Sequence, residues 1–165
     1  KLFSLLRDQV PWQRETDDFG PQQRLSYYMG DPDCTFRYVG LSLEPNPWLR
    51  EMENVRGVAE QDNPRILTGC LLNNYEEGGS FIPWHFDEVR AHGDSKVVMS
   101  LSLGGPRRFD LRRRRQSLHN ISLLLQPGSV LLMAGNTQEH WLHQLPDITG
   151  EPKPHRISLT FRSIV

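Results

Sequence analysis

Short apolar runs separated by turn residues dominate the chain from residue 66 onward. Runs of this length, bounded by Gly, Pro and Asn, are typical of β-strands, and several strands in series favour a sandwich or a jelly roll. We predict strands over six ranges, which are Ile66–Tyr75, Val97–Leu103, Arg108–Arg112, Ile121–Gln126, Val130–Ala134 and Ile157–Phe161. The fold class is therefore predicted to be mainly β.

The first 65 residues have a different pattern, because turn signals and polar residues are interspersed among the apolar ones. Residues 35–43 have a strand-like character. Asn46 and Pro47 predict a helix start, since Asn is a good N-cap and Pro is tolerated at the first helical position. Apolar residues follow at helical spacing, at Trp48, Met52, Val55 and Ala59. We therefore expect a flanking helix that packs one face against the β core.

The last predicted strand alternates between two kinds of side chain, and successive strand residues point to opposite sides. One face is apolar, with Ile157, Leu159 and Phe161, and the other is polar, with Arg156, Ser158, Thr160 and Arg162. Two arginines are costly to bury without anions. The polar face therefore either lies on an exposed edge strand or binds a dicarboxylate such as 2-oxoglutarate. Asn73 and Tyr75 share this parity on an earlier strand and could border the same pocket.

A candidate metal site begins at His85 and Asp87. Residues two apart in an extended segment point the same way, so both side chains can reach one ion. Two histidines and one carboxylate with open positions are the ligand set of a non-haem Fe(II) oxygenase. His140 and His143 are both candidates for the second histidine, and their spacing alone does not separate them.

The overall composition excludes several classes of protein. The 165 residues are 37% hydrophobic and 24% charged, as in a globular domain rather than a disordered chain. No apolar run approaches the roughly 20 residues of a membrane span, and no signal peptide opens the chain, so neither a membrane partner nor secretion is expected. Cys34 and Cys70 do not make a disulfide framework and are expected to be reduced thiols. We expect an intracellular protein, in the nucleus, the cytoplasm or both.

Positive charge is concentrated in one segment, although the net charge is only −1. Six arginines lie between Arg107 and Arg115, with Asp110 as the single acid among them. Arginine forms bidentate contacts with phosphates and stacks on bases. The run therefore indicates a patch for a polyanion, and a solvated hairpin tip is the alternative.

Several motifs in a defined order are similar to those of one enzyme family. They are Asn73-Asn74-Tyr75, Trp84-His85-Phe86-Asp87-Glu88, residues 100–104, residues 127–133, residues 137–146 and residues 156–162. Together they resemble the AlkB family of Fe(II)/2-oxoglutarate-dependent nucleic-acid demethylases over nearly the whole chain. Residues 9–12 and 40–48 are similar to the eukaryotic-type branch, and within it to homologues that favour single-stranded DNA and RNA. The resemblance implies a double-stranded β-helix, which is a jelly-roll fold.

The resemblance also implies roles for individual residues. The metal ligands would be His85, Asp87 and His143, because the family's second histidine precedes a proline by three to four residues. The implied cofactors are Fe(II) and 2-oxoglutarate, with O2 as co-substrate. Residues of two strands would bind 2-oxoglutarate, namely Asn73, Tyr75, Arg156, Ser158, Thr160 and Arg162, with Ser158 in place of a common Asn. Residues 1–165 would form one dioxygenase domain, with recognition loops and a supporting helix in 1–65 and the jelly-roll core in 66–165.

The implied reaction is oxidative demethylation of 1-methyladenine- and 3-methylcytosine-type bases, with release of formaldehyde, succinate and CO2. Such a base must leave its stack to reach the iron. Tyr38 matches an aromatic that stacks on the flipped base, and an ordinary core aromatic is the alternative. Trp12 matches a loop that contacts the nucleic-acid strand, and a hydrophobic anchor is the alternative.

Charged residues complete the implied substrate site. Arg24, Arg112 and Arg113 would bind phosphates. Glu88 would lie near the base, although Val89 stands where many relatives carry an acid that contacts the base. Residues 146–154 contain one lysine and two acids, whereas relatives that act on duplexes are more basic there. This difference favours a single-stranded substrate.

Two other functions compete with this interpretation. A 2-oxoglutarate-dependent enzyme could instead hydroxylate or demethylate a protein side chain. A non-catalytic jelly roll could bind nucleic acid through the arginine run without needing the metal ligands. The presence of all three ligands and both arginines favours an enzyme, and we expect it to act as a monomer.

Overall fold

Two antiparallel sheets packed face to face form the frame of the structure, a computed structural model that describes residues 1–61, 67–77, 80–87, 97–115, 120–147, 150 and 153–164. The elements in chain order are α1 (Leu2–Gln9), β1 (Thr16–Asp17), β2 (Gly20–Pro21), β3 (Leu25–Gly30), β4 (Phe36–Tyr38), β5 (Leu41–Leu43), α2 (Arg50–Gln61), β6 (Gly69–Tyr75), β7 (Ile82–His85), β8 (Val98–Gly104), β9 (Arg107–Arg113), β10 (Asn120–Leu125), β11 (Val130–Met133), α3 (Thr137–His140), β12 (Trp141–Leu145) and β13 (Arg156–Arg162).

The larger sheet has the strand order β11-β8-β13-β6-β3, and the smaller sheet has the order β10-β9-β12-β7. Neighbouring strands in both sheets are antiparallel. From β8 to β13 the chain crosses repeatedly from one sheet to the other, which is the connectivity of a jelly roll. The predicted fold class, mainly β with flanking helices, is confirmed.

β13 lies in the centre of the larger sheet, between β6 and β8. Its apolar face is fully buried against α1 and α2, where Phe161 joins a cluster with Leu6 and Met52. Burying each such side chain contributes about 1.5–3 kcal/mol. The polar face points towards the smaller sheet. The alternative of an exposed edge strand is therefore wrong.

A second apolar cluster fills part of the space between the two sheets. Side chains from six strands meet there, namely Tyr75, Val98, Phe109, Leu125, Met133 and Leu145. This cluster explains why the strands of the smaller sheet carry apolar residues at alternate positions. Four of its members, Tyr75, Phe109, Met133 and Leu145, also line the cavity that the polar face of β13 borders.

The six predicted strands are all present, and β3, β7 and β12 complete the sheets. β7 contains Pro83, which removes a backbone donor and breaks the usual strand pattern. Such a residue is tolerated because β7 is the edge strand of the smaller sheet. β3 pairs with β6 at the edge of the larger sheet. The N-terminal region therefore contributes a strand to the sheet, in addition to the helix expected there.

α2 confirms the predicted helix, and its buried face includes Met52. The predicted start is wrong, because α2 begins at Arg50 and Asn46 is not its N-cap. Asn46 instead extends alongside β3, where its backbone N–H and its side-chain amide both donate to Tyr28 O at 3.1 and 2.9 Å. None of the helices in the described ranges is long and apolar enough to cross a bilayer.

Residues 35–43 form the hairpin of β4 and β5 rather than a single strand. Its turn places Val39 at φ 43° and Gly40 at φ 76°. Positive φ at both positions is typical of a tight hairpin turn, but it is strained for a β-branched residue such as Val39. A side chain at Gly40 would clash with the carboxylate of Asp18, so this hairpin packs closely on the β1–β2 turn.

Candidate active site

A cavity of about 410 Å³ lies between the sheets and is covered on one side by the two short hairpins of the N-terminal region. Its polar wall comes from β6, β7, β12 and β13, with residues Asn73, Tyr75, His85, His143, Arg156, Ser158, Thr160 and Arg162. Its cover carries Asp17, Phe19, Gln22, Arg24, Phe36, Arg37, Tyr38 and Val39. Volumes of 300–1,000 Å³ are typical of small-ligand sites, so the cavity is large enough to bind a co-substrate and part of a substrate.

His85, Asp87 and His143 meet at one wall of this cavity. One ligand atom from each lies within 4.8 Å of the others. His85 on β7 and His143 on β12 are direct cross-strand partners, which brings their ring centroids to 4.2 Å. His143 Nε2 lies 3.9 Å from Asp87 Oδ2. The spacing and chemistry of these donors fit a 2-His-1-carboxylate iron site.

Both imidazoles are prepared to act as neutral metal ligands. His85 Nδ1 donates to Pro83 O at 2.8 Å, because a carbonyl can only accept, and its Nε2 is therefore the unprotonated nitrogen. Burial lowers the pKa of His85. Burial and the neighbouring His85 ring lower the pKa of His143 to about 4. At neutral pH neither ring needs to lose a proton before it binds a cation.

Asp87 is oriented by two neighbours. Arg162 Nη2 donates to Asp87 Oδ1 at 3.1 Å. Gln138 is buried on α3, and its Oε1 accepts a hydrogen bond from the Asp87 backbone N–H at 2.9 Å. Arg162 thus orients the carboxylate and Gln138 holds the backbone of the same residue, as outer neighbours commonly do for metal ligands.

The cationic wall fits a dicarboxylate. Arg156 is 2% exposed, and its Nη2 donates to Ser102 Oγ at 2.9 Å. Its Nε and Nη1 have no hydrogen-bond acceptor within the described part of the chain, and the same is true of Arg162 Nε. Burying such donors costs several kcal/mol unless an anion binds them. A co-substrate with two carboxylates would satisfy them.

The remaining predicted co-substrate residues border the same wall. Ser158 and Thr160 lie between the two arginines on β13. The Tyr75 ring centroid lies 5.2 Å from the guanidinium carbon of Arg156. Asn73 lines the cavity, and its Oδ1 accepts from Arg24 Nε at 2.7 Å. The structure thus brings together all six residues that the resemblance assigned to 2-oxoglutarate.

Aromatic residues form the cover opposite the metal site. Tyr38 stacks on Phe36 with ring centroids 5.0 Å apart, and its hydroxyl accepts from Gln22 Nε2 at 3.1 Å. The guanidinium carbon of Arg162 lies over the Phe36 ring, 4.9 Å from its centroid. Phe19 is 90% exposed at the β1–β2 turn and lines the cavity mouth. Tyr38 is therefore located where a flat group inserted into the cavity would contact it.

The other predicted substrate residues have different surroundings. Trp12 packs on the cluster beside α1 and donates its indole N–H to Arg7 O at 3.3 Å, so its contacts are those of the alternative, a hydrophobic anchor. Arg24 lines the cavity from its cover and donates its Nε–H to Asn73 Oδ1, rather than lying on an open surface. Glu88 falls outside the described residues.

The arginine run divides into three environments. Arg107 is buried between the sheets, and Arg108 pairs with Asp110 on the outer face of β9. The following arginines stack on aromatic rings near the cavity. The distance from guanidinium carbon to ring centroid is 4.3 Å for Arg112 and Trp84, 5.5 Å for Arg113 and Trp141, and 4.0 Å for Arg114 and Phe86. Since Trp84 and Phe86 line the cavity, the basic surface begins at its rim.

The structure separates the two candidate histidines. His143 points inward on β12, whereas His140 is exposed at the end of α3. Three residues not predicted from the sequence also contribute to the site, namely Gln22, Phe36 and Gln138. A one-turn helix such as α3 gives no periodic signal, so the buried position of Gln138 could not be inferred.

Comparison with known proteins agrees with this geometry. The profile described as "2OG-Fe(II) oxygenase superfamily" matches residues 3–162. Alpha-ketoglutarate-dependent dioxygenase alkB homolog 3 of Mus musculus is 30% identical over 176 residues, which cover 99% of this chain and 60% of that protein. DNA oxidative demethylase ALKBH2 of Mus musculus is 32% identical over 152 residues, which cover 88% of this chain and 62% of that protein. The chain thus spans about 60% of the length of these relatives.

A solved structure of OsALKBH1 has the same fold, with a TM-score of 0.66 at 18% identity, and the match covers 98% of this chain and 90% of that one. Superfamily membership implies Fe(II) and 2-oxoglutarate as cofactors, and the donor set formed by His85, Asp87 and His143 fits the iron. The chain therefore belongs to the 2OG-Fe(II) oxygenase superfamily, and within it to the AlkB family that its motifs resemble.

Proposed function

We propose that this domain demethylates N-alkylated bases, of the 1-methyladenine and 3-methylcytosine type, in single-stranded DNA or RNA. The reaction consumes 2-oxoglutarate and O2 and releases formaldehyde, succinate and CO2. The single observation that carries the proposal is the convergence of the His85, Asp87 and His143 donors with a buried arginine wall in one aromatic-covered cavity.

The residues of the chain have distinct tasks in this reaction. Bound Fe(II) and 2-oxoglutarate supply the oxidising chemistry that hydroxylates the N-methyl group. His85, Asp87 and His143 would hold the metal, and Arg156 and Arg162 would orient the co-substrate. The hydroxymethyl product loses formaldehyde by breaking its C–N bond, so the base regains its unmethylated nitrogen.

The aromatic cover supports a base as the substrate. A flipped base needs flat neighbours that replace its lost stacking. Tyr38 and Phe36 provide one stacked pair at the cavity, and Phe86 lines the opposite rim under the Arg114 guanidinium. Stacking of a base on an aromatic side chain contributes about 1–3 kcal/mol. A peptide side chain would not need such an arrangement.

Charge near the end of the chain supports single strands. Lys153 is the sole lysine or arginine of residues 146–154, and it pairs with Asp147. This segment therefore offers no unpaired lysine or arginine, among its described residues, for a second strand. We also propose that the domain acts as a monomer, and that the two free thiols reflect an intracellular location.

A product assay tests the proposed function. Methylated oligonucleotides, as DNA and RNA and as single strands and duplexes, are incubated with the protein, Fe(II) and 2-oxoglutarate, and formaldehyde and the repaired base are quantified. We expect products from single strands, and none with Asp87→Ala. Formaldehyde from a peptide but from no oligonucleotide would support the protein-modifying alternative. Tight binding of oligonucleotides without any turnover would support the non-catalytic one.

A further inference from the structure

Arg107 is buried at the far end of the space between the sheets and belongs to neither the metal site nor the exposed basic surface. It is 4% exposed, at the start of β9, with the same parity as the inward-facing Phe109. Its guanidinium lies 6.0 Å from the Tyr75 ring centroid, and the Arg156 guanidinium lies 5.2 Å from the same ring. Tyr75 therefore contacts two arginines, one from each sheet.

These two charges are not balanced by acids. Within the described part of the chain, neither Arg107 nor Arg156 pairs with a carboxylate. Burial and the Arg107 charge both lower the pKa of Arg156, and burial lowers that of Arg107. Arg107 Nε also has no acceptor among the described residues. The fold thus tolerates two buried like charges around one ring, which is unfavourable unless an anion binds nearby.

The position of the metal ligands indicates which carboxylate of the co-substrate would lie near Arg156 and Arg107. Arg162 pairs with Asp87 and so belongs to the metal end of β13. Arg156 lies six residues away at the other end of the strand, and its side chain and that of Tyr75 line the same cavity as the metal ligands. A 2-oxo acid that chelates the metal would therefore direct its second carboxylate towards Arg156 and Tyr75.

We propose that Arg107 is a positioning residue for this second carboxylate: it holds the Tyr75 ring against Arg156 and adds positive potential at the closed end of the cavity. Arg107 does not line the cavity itself and acts through Tyr75 and through its charge. It thereby increases selectivity for dicarboxylate over monocarboxylate 2-oxo acids. The inference rests on the co-substrate of the proposed function and is independent of its nucleic-acid substrate.

A purely structural role makes a different prediction. Arg107 Nη1 donates to Ser80 O at 2.9 Å and Nη2 donates to Pro154 O at 3.3 Å, so it also joins the segment before β7 to the segment before β13. If this were its whole role, its loss would loosen the cavity and weaken every 2-oxo acid alike. A charge that acts on one carboxylate would weaken only the acids that carry this group.

The test compares two ligands in titration calorimetry with the Mn(II)-loaded protein in the absence of oxygen. 2-Oxoglutarate carries the second carboxylate, and 2-oxopentanoate has a methyl group in its place. For Arg107→Gln we expect an affinity loss of about tenfold or more for 2-oxoglutarate, since one partly screened buried charge corresponds to that scale. The affinity for 2-oxopentanoate should change less than about twofold. Arg107→Lys, which keeps the charge, should lie between Arg107→Gln and the wild type.

Arg108→Gln is the matched control, because it removes an arginine from the outer face of the same strand. It should leave both affinities unchanged. Equal losses for both ligands in Arg107→Gln, or no loss for either, would overturn the proposal. Should Arg107→Gln fail to fold, Arg107→Lys decides, since a selective loss for 2-oxoglutarate supports the proposal and an equal loss contradicts it. Failure of the wild type to bind 2-oxoglutarate would instead refute the proposed function.

Discussion

Each of the three metal-site residues makes a specific contact with a neighbouring group. One nitrogen of His85 is engaged by the Pro83 carbonyl, and Asp87 is engaged by Arg162 and Gln138. His143 stacks on Phe109 with ring centroids 5.4 Å apart. Each ligand therefore loses little rotational freedom when a metal binds, which favours affinity.

His143 and His140 offer a direct test of the ligand assignment, because only two residues lie between the buried ring and the exposed one. His143→Ala should lose stoichiometric Fe(II) binding and formaldehyde production, since two ligands do not retain the ion. His140→Ala should keep most of both. Metal content after dialysis and product formation provide the measurement. Equal loss in the two variants would refute the assignment of His143.

The lowered pKa of His143 predicts a pH effect on stability in the metal-free protein. Between pH 6.5 and about 4 the unfolded chain binds a proton at this position and the folded chain does not. The free energy of unfolding should therefore fall as the pH falls through this range, by up to about 1.4 kcal/mol per pH unit.

His143→Gln isolates this contribution, because other titrating groups are common to both proteins. The difference in unfolding free energy between wild type and variant, measured with urea and a chelator at pH 7 and pH 5, should shift in favour of the variant at pH 5. Parallel pH curves for the two proteins would contradict the assigned pKa.

At the scale of elements, the one-turn helix α3 positions the metal site although it contributes no ligand. Gln138 on α3 is 2% exposed and reaches the Asp87 backbone across the space between α3 and β7. Gln138→Leu removes this acceptor at similar volume. We expect Fe(II) affinity to fall on the order of 10–100-fold with the fold retained, as for other outer neighbours of metal ligands. Calorimetric metal titration measures the effect.

Glu139→Gln is the control for this helix, because Glu139 is an exposed neighbour whose backbone carbonyl accepts from Arg114. That contact does not depend on the side chain. Fe(II) affinity in Glu139→Gln should match the wild type. An unchanged affinity in Gln138→Leu would mean that Arg162 alone orients Asp87.

Strand periodicity explains how much of the site could be predicted from the sequence. The period of two placed Arg156 and Arg162 on one face of β13, and the structure confirms that face. Periodicity did not identify the second histidine. His143 faces inward because β12 pairs with β7 in the register that places His143 opposite His85, and a sequence pattern does not reveal this register. Gln138 had no signal at all. The sequence did contain a signal for the burial of Arg107, because Arg107 and Phe109 lie two residues apart and face the same side of β9. This signal was hard to recognise because Arg107 belongs to a run of arginines that otherwise indicates an exposed patch.

At the scale of the whole molecule, the basic surface extends outward from the cavity rim. Arg112 and Arg113 each stack on a tryptophan, which holds the guanidinium flat while its edge remains available for phosphate. Arg112→Ala and Arg113→Ala should each weaken single-stranded oligonucleotide binding and reduce the salt slope of log affinity by about 1. Fluorescence anisotropy at several salt concentrations measures both quantities.

Arg7→Ala is the control for charge alone, because Arg7 pairs with Asp8 on α1, away from the cavity lining. It should leave the salt slope unchanged. Identical slopes for all three variants would mean that binding follows net charge rather than this surface.

The central position of β13 has a consequence for the motions of the molecule. Both sides of this strand are hydrogen-bonded to neighbours, so its amide protons exchange with solvent only when the sheet as a whole opens. The β4–β5 hairpin forms a separate two-stranded sheet, and it is held to the rest of the chain by the packing of Phe36 and by the Asp18 backbone N–H, which donates to Val39 O. We therefore expect amide exchange to be faster in the hairpin than in β13, so that Arg156 and Arg162 keep their register during any movement of the cover.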